Sequence, residues 1–316
     1  MEYAKLGLTD LQVSRIGFGC WAIGGHGYGK VDDNESIRGI QMALDSGINF
    51  FDTADAYGFG HSEEILSKGL GLRRNEVIIA TKFGVNWDKS GNTFKDCSSK
   101  RVVEALENSL RRLKVDVIPL YQIHWPDPNT PLRETMEALL NCQKAGKIEY
   151  IGCSNFEKEL IVQLQKIGRI DSLQSSYNLL DRSVERDILP SCKNFNMSFI
   201  AHSPLARGFL SGKYGPTHKF SKLDTRNKSG YFSENKFSEK KQLLDNIQKI
   251  GKYYGKTTSQ VALRWILDNP SVDCVIVGIK NVDQLKENMA STDWRLSPED
   301  LRNLSIQSEM FNSVDS

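Results

Sequence analysis

The chain of 316 residues has no run of eighteen apolar residues, which excludes a membrane-spanning helix of ordinary length. Its opening, MEYAKLGLTD, lacks a basic cluster followed by an apolar segment, so no secretory leader is expected and the reading is cytoplasmic. Nor is there an excess of charge of either sign: 41 Lys and Arg face 39 Asp and Glu, for a formal net charge of +2. A chain so balanced sets up no strong field toward nucleic acid or an anionic membrane, and a small, weakly charged partner is expected instead. Close cysteine pairs are missing. The six cysteines are never nearer to one another than eleven residues, which excludes CxxC redox or zinc pairs, and they read as reduced, mostly buried side chains. The five histidines lack ligand spacing; His61-Ser62-Glu63 has an H-x-E form, but no P-C-x-x-C follows, so no metal is expected and HSEE reads as the start of a helix. Low-complexity tracts and fine repeats are absent, which argues against a solenoid.

What is present is an alternation. Short apolar runs recur as RIGFG near 15–19, INFF 48–51, VIIAT 77–81, VIPLYQI 117–123, IEYIGC 148–153, SLQSS 172–176, MSFIAH 197–202 and CVIVG 274–278. Several are apolar on both faces, as parallel strands covered by helices are. Between them, stretches such as 36–47, 99–113, 130–146 and 281–290 place apolar residues at three- and four-residue spacing. Gly47 and Gly146 stand where a left-handed cap is wanted, and Asn281 and Ser297 where an N-cap is. Eight strand–helix repeats predict a single (β/α)8 TIM barrel domain over 1–316, with a doubly wound open sheet as the competing arrangement. AKLGLTDLQVSR at 4–15 reads as a hairpin plugging the barrel bottom, an extra helix is expected at the C-terminus, and 207–238 reads as a long polar loop.

SRIGFGCWAIGGHGYGK at 14–30 contains Gly17-x-Gly19-x-x-Ala22, a permitted form of the dinucleotide fingerprint. Two features disqualify it. A helix should open after Ala22, where IGGHGYG is a very poor helix former, and the acidic residue after the next strand, Asp52, comes 30 residues past Ala22 rather than about 20. The segment therefore reads as the first strand and a loop that lends Trp21 and Tyr28 to an active-site mouth.

In a barrel, chemistry gathers where strands end. INFF is followed by Asp52, with Tyr57 five residues on; VIIAT is followed by Lys82; LYQI is followed by His124. Pointing into one mouth, these groups can donate a proton to a carbonyl oxygen. A phenol of pKa about 10 is a weak acid catalyst, but the Lys82 ammonium would stabilise its phenolate and lower that value. Asp52 would hold Lys82 by an ion pair, and His124 would hydrogen-bond the same oxygen as it becomes an alkoxide.

At these residues the chain resembles the aldo-keto reductases, over nearly its whole length. The marks are FFDTADAYGFGHSEE, IATKFG, LYQIHWPD, AGKIEYIGCSNF, LQSSYNLL, SPLARGFLSGKY and IVGIKNVDQLKEN, seven in order. The resemblance implies a barrel reductase of aldehydes and ketones using NADPH, with NADH the lesser possibility, and a tetrad at Asp52, Tyr57, Lys82 and His124. It implies that Ser154, Asn155 and Gln174 bind the nicotinamide carboxamide, whereas the residues themselves also suit a turn and cap at Ser154-Asn155 before a helix beginning at Phe156. Ser203, Leu205, Ala206, Arg207, Gly208 and Lys213 match its pyrophosphate loop. Gly278 ends the eighth strand, Lys280 matches the cation that meets a 2′-phosphate, and Gln284, Glu287 and Asn288 match the adenine end. Two positions depart from the pattern: His202 stands where a larger aromatic commonly stacks on the nicotinamide, and Asn281 where a second basic residue often follows the first.

Trp21, Tyr28, Trp87 and Trp125 fall in loops after strands and are expected to form an aromatic wall for a small carbonyl substrate. A monomer or weak homo-oligomer is expected. The competing function is a cofactor-binding regulatory subunit resembling potassium-channel β subunits, which share the barrel and the motif set.

Overall fold

The two periodicities of the sequence become strands and helices in the computed structural model of the chain, which describes residues 1–25, 31–221, 224–228 and 231–312. In chain order, β1 (Tyr3–Lys5) and β2 (Gln12–Ser14) form an antiparallel hairpin leading into β3 (Ile16–Gly19). There follow α1 (Asp33–Asp45), β4 (Phe50–Asp52), α2 (His61–Leu70), β5 (Ile78–Phe83), a second hairpin of β6 (Val85–Trp87) and β7 (Thr93–Lys95), α3 (Ser99–Leu113) and β8 (Ile118–Ile123). Next come α4 (Leu132–Lys144), β9 (Ile148–Ser154), α5 (Lys158–Ile167), β10 (Ser172–Ser176), α6 (Val184–Phe195) and β11 (Ser198–His202). The chain then runs through α7 (Glu234–Tyr254), α8 (Thr258–Leu267), β12 (Cys274–Gly278), α9 (Val282–Met289) and α10 (Pro298–Asn312). Parallel strands close in the order β3-β4-β5-β8-β9-β10-β11-β12, and β12 pairs back onto β3. Closure excludes the doubly wound sheet, and the eight apolar runs of the sequence are the eight barrel strands.

Helix α3 illustrates how the sequence makes an outer element. Ser98 caps it by accepting from the Arg101 amide at 3.3 Å, and Val102, Ala105, Leu106, Ser109 and Leu113 form one buried stripe at helical spacing. Gly47 and Gly146 take positive φ, and Asn281 and Ser297 accept from the amides of Gln284 and Asp300, at the positions their residue types demanded. The first hairpin brings Leu6, Leu11 and Val13 into one apolar cluster with Phe50, Ala80, Leu120, Ile200 and Ile276 of the strands, so it plugs the barrel. His61 opens α2 and bonds Asp33, while Glu63 accepts from Thr81 and Arg112, which gives the H-x-E triplet a structural use. Among the described residues no helix is long and apolar enough to cross a membrane.

Three details differ from the sequence reading. The helix after β9 begins at Lys158, not Phe156, because Asn155 turns the chain through φ of 61° before the helix starts. The segment after β5 forms the β6–β7 hairpin, which is too short to show a strand period. The loop after β11 is not simply polar: Phe209, Tyr214, Phe220, Tyr231 and Phe232 pack ring to ring, with centroids 4.8–6.3 Å apart. These rings are irregularly spaced among Lys, Ser and Gly, so no periodicity announces them.

Candidate active site

Asp52 ends β4, Lys82 stands near the end of β5, and Gln122 of β8 pairs in register with Lys82; all three are buried. The Lys82 Nζ donates to Asp52 Oδ1 at 2.6 Å, to the Thr53 carbonyl at 2.9 Å and to the Tyr57 hydroxyl at 3.3 Å. Its three hydrogens thus have three acceptors, as a fully buried ammonium requires. Asp52 Oδ2 accepts from Gln174 at 2.8 Å and from Gln122 at 3.4 Å, so the carboxylate is held by one charge and two amides.

Tyr57 comes from the turn after β4, and the glycine-rich loop after β3 holds that turn. Gly58 has φ of 61°, and a Cβ there would lie 2.1 Å from the Gly24 carbonyl oxygen. The two backbones therefore touch, and the Trp21 ring stacks on Tyr57 with centroids 6.1 Å apart. His124 follows β8, its amide donating to the Phe83 carbonyl at 2.8 Å and its ring meeting Tyr57 edge-on at 5.6 Å. The His124 Nδ1 is buried and has no protein hydrogen-bond partner.

Electrostatics here differ in one respect from the sequence expectation. Burial pushes the Tyr57 phenol up to about 12, against the pull of the Lys82 ammonium, so desolvation outweighs the charge and the group is a protonated phenol at neutral pH. For Lys82, burial works against the charge, but Asp52 and Tyr57 together raise its pKa and keep it cationic. Burial, helped by Lys82, Lys95 and His202, holds His124 well below the ordinary imidazole value, so it is neutral.

These groups stand along a cavity of about 520 Å³. Tyr57 and His124, with Trp21 stacked on Tyr57, line it together with Val85, Thr93 and Trp125. Lys82 lies behind Tyr57, fully buried. Beside the tetrad come the uncharged Ser154, Asn155, Gln174 and His202, then Ser203, Leu205, Arg207, Gly208 and Lys213. Gly278, which pairs with Gly19 of β3, and Lys280, Gln284, Glu287 and Asn288 at and in α9 also line it. Ser203, Ala206, Arg207 and Gly208 all have positive φ, so the loop after β11 is coiled tightly; within it Ala206 is buried and does not reach the cavity wall, contrary to expectation. Lys213 bridges to Glu287 at 2.6 Å, joining this loop to α9. Trp87 also misses the wall, since its ring packs on Phe59 at 5.3 Å with Arg101 over it at 5.3 Å. Tyr28 lies outside the described residues.

The comparisons with known proteins agree with this barrel. A model of the aldo/keto reductase family matches residues 15–308. The chain belongs to the aldo/keto reductase family. "Aldo-keto reductase YhdN" of Bacillus subtilis (strain 168) is 40% identical over 307 residues, covering 96% of this chain and 92% of that one. The "NADH-specific methylglyoxal reductase" of Escherichia coli (strain K12) is 33% identical over 315 residues, covering 95% and 96%. Among solved structures, the glycerol dehydrogenase AKR11B4 from Gluconobacter oxydans superposes with a TM-score of 0.90 at 34% identity, covering 98% of this chain and 95% of that one.

This aldo/keto reductase is accordingly an oxidoreductase of the kind that uses a nicotinamide cofactor on small carbonyl compounds. Its cavity fits such a cofactor: amide and hydroxyl groups near the barrel axis suit a carboxamide, a coiled basic loop suits a pyrophosphate, and Lys280 with α9 suits a nucleoside phosphate. Two residues escaped the sequence reading. Gln122 was legible as the one amide in the apolar run VIPLYQI, since a buried polar group in a strand must find a partner. Arg226 was not: it sits in the long loop, paired bidentately with Asp224 at 2.6 and 2.9 Å and lying over Phe220 at 4.2 Å, and it lines the cavity. Its charge, after burial and against Asp224, helps to lower the pKa of Lys280, which places two cations near one another in the cavity wall.

Proposed function

We propose that the chain reduces an aldehyde or ketone to an alcohol with NADPH, Tyr57 delivering the proton to the carbonyl oxygen. One observation carries the reading: the Tyr57 phenol stands in the cavity wall with the Lys82 ammonium 3.3 Å behind its oxygen and Asp52 anchoring that ammonium. A phenol kept protonated by burial has a proton to give at neutral pH. What it needs is stabilisation of the phenolate left behind, and Lys82 offers a fixed charge at hydrogen-bond distance. Neutral His124 donates a ring N–H to the same oxygen as negative charge develops there. A bound reduced nicotinamide supplies the hydride. Ser154, Asn155 and Gln174 would hold its carboxamide, with His202 beside the ring. Ser203, Leu205, Arg207, Gly208 and Lys213 would hold the pyrophosphate, while Gly278, Gln284, Glu287 and Asn288 frame the adenosine. Lys280 and Arg226, two cations near one another, favour NADPH over NADH.

Trp21 and Trp125, with Val85 and Thr93, would bound a small carbonyl substrate. The relatives' names make methylglyoxal a substrate to try, and glycerol one in the oxidative direction. The test is NADPH oxidation against a panel of aldehydes, ketones and ketosugars, with Tyr57→Phe beside the unsubstituted enzyme. Loss of a general acid is expected to lower turnover by about 10²–10⁴ with cofactor affinity retained. Unimpaired turnover in that variant sinks the acid assignment. Tight cofactor binding with no turnover on any carbonyl favours a regulatory subunit instead. Lys280→Ala is expected to weaken NADPH more than NADH, and an unchanged preference refutes the 2′-phosphate assignment.

A further inference from the structure

His202 occupies the position where the family pattern has a larger aromatic, and its ring is engaged at both nitrogens. Nδ1 lies 3.0 Å from Ser203 Oγ and Nε2 lies 3.1 Å from Asn155 Oδ1. Asn155 spends its two amide hydrogens on the His124 carbonyl at 3.1 Å and on Ser154 Oγ at 2.9 Å. The reverse amide orientation would set its oxygen against the His124 carbonyl oxygen, acceptor on acceptor. Asn155 Oδ1 must therefore accept, so Nε2 of His202 carries the hydrogen and Nδ1 accepts from the Ser203 hydroxyl. The chain of donors runs from Ser203 through His202 and Asn155 to the backbone of the catalytic histidine.

We propose that His202 is a positioning residue that holds Asn155 in the orientation selected by the His124 carbonyl and so secures the hydrogen-bond polarity of the nicotinamide seat. With Asn155 oriented this way, one lone pair of Oδ1 remains to accept and the Ser154 hydroxyl hydrogen remains to donate, both from residues of the cavity wall. A primary carboxamide, with an NH2 to give and a carbonyl to receive, is complementary to that pair in one orientation only. A phenyl or indole ring at 202 offers stacking area but no N–H to Asn155 Oδ1, so the amide, whose orientation the His124 carbonyl selects, loses the donor that holds its oxygen in place. The groups that act on the ring keep it neutral: burial first, then Lys82 and Arg207, opposed by Asp181, bring His202 down to about 4, and neutral His124 stands nearby.

The proposal rests on the cofactor reading, and the experiment separates the two. Binding of NADP+ and of 2′,5′-ADP, which lacks the nicotinamide, is measured by titration of the enzyme without substrate. The unsubstituted enzyme is expected to bind both; failure to bind either refutes the cofactor reading itself. His202→Phe is expected to weaken NADP+ by about tenfold, the scale of a lost buried hydrogen bond, with 2′,5′-ADP unchanged as an internal control for folding. His202→Gln, whose amide N–H stands in for Nε2, is expected to stay within about threefold of the parent. If His202→Phe binds NADP+ as tightly as the parent, or loses both ligands equally, the positioning role is wrong. Nitrogen-15 NMR of the imidazole in the unsubstituted enzyme gives an independent readout. A neutral Nε2–H tautomer from pH 5.5 to 9 is expected, and an Nδ1–H tautomer or a titration near 6.5 overturns the proposal even if the variants do not fold.

Discussion

Replacing Lys82 with methionine tests the centre of the site. The substitution keeps the length and the apolar stem of the side chain but removes a charge that sits 2.6 Å from Asp52 in a place without solvent. Asp52 keeps only the amides of Gln174 and Gln122 and becomes a buried charge with no counter-charge at its side. Stranding one partner of a buried pair costs about 3–5 kcal/mol. The unfolding entropy of 316 residues is roughly 0.7 kcal/mol/K, so Tm should fall by about 4–7 °C. Adding Asp52→Asn removes the stranded charge and keeps an acceptor for Gln174, so the double variant should regain at least about half of the loss. Activity should not return with stability, because the phenolate of Tyr57 lacks its ammonium in both variants; kcat should stay down by about 10²–10⁴. Calorimetry and steady-state kinetics on the parent, both single variants and the double variant complete the cycle. Additive stability losses, or a Lys82→Met enzyme with more than a tenth of parental turnover, would refute the reasoning.

Other predictions follow from the same geometry. Gly58→Ala puts a methyl 2.1 Å from the Gly24 oxygen at positive φ, so it should destabilise by more than about 1 kcal/mol in urea unfolding. It should also lower kcat at least tenfold, with NADP+ affinity retained, because the Tyr57 turn is displaced. Arg226→Ala should weaken NADPH more than NADH in kcat/KM, as Lys280→Ala does; equal effects on both cofactors would remove Arg226 from the phosphate site. His202 has a folded pKa of about 4, below its unfolded value of about 6.5, so its neutral burial favours the native state less and less as pH falls between those values. His202→Gln should therefore escape an acid-linked loss on the order of 3 kcal/mol between pH 7 and 4, measured as the narrowing gap between the two urea midpoints. A gap independent of pH contradicts the depressed value.

The legible parts of this protein were those in which chemistry repeats along the chain. Apolar runs marked all eight barrel strands to within about two residues at either end, and an amphipathic stretch marked α3 to the residue, because a strand covered by helices has no polar face and a surface helix must keep one. Asp52, Tyr57, Lys82 and His124 stood at strand ends, where a barrel gathers its polar groups. Arg226 and the aromatic cluster around Phe220 stayed hidden because their order comes from contacts between residues scattered through a polar loop. Trp87 was expected at the mouth with the other tryptophans, yet the β6–β7 hairpin directs it onto Phe59 and Arg101. Gly17 and Gly19, whose spacing imitates a dinucleotide fingerprint, lie within β3, where a Cβ would press on Phe50 and Ile276, and it is Gly24, after the strand, that lets one backbone lie against the turn that carries Tyr57.

By itself the amino-acid sequence determined the alternation of elements, the barrel and the identity of the groups at its mouth, since these depend on residue type and spacing along one strand or helix. Only the tertiary structure decided how those groups act on one another. Burial raises Tyr57 to about 12 despite the adjacent Lys82, because desolvation depends on everything packed around the phenol and no local pattern records it. Likewise, the bond from His202 to Asn155 joins residues 47 apart in the chain, and the pairing of β9 and β11 on either side of β10 brings them together.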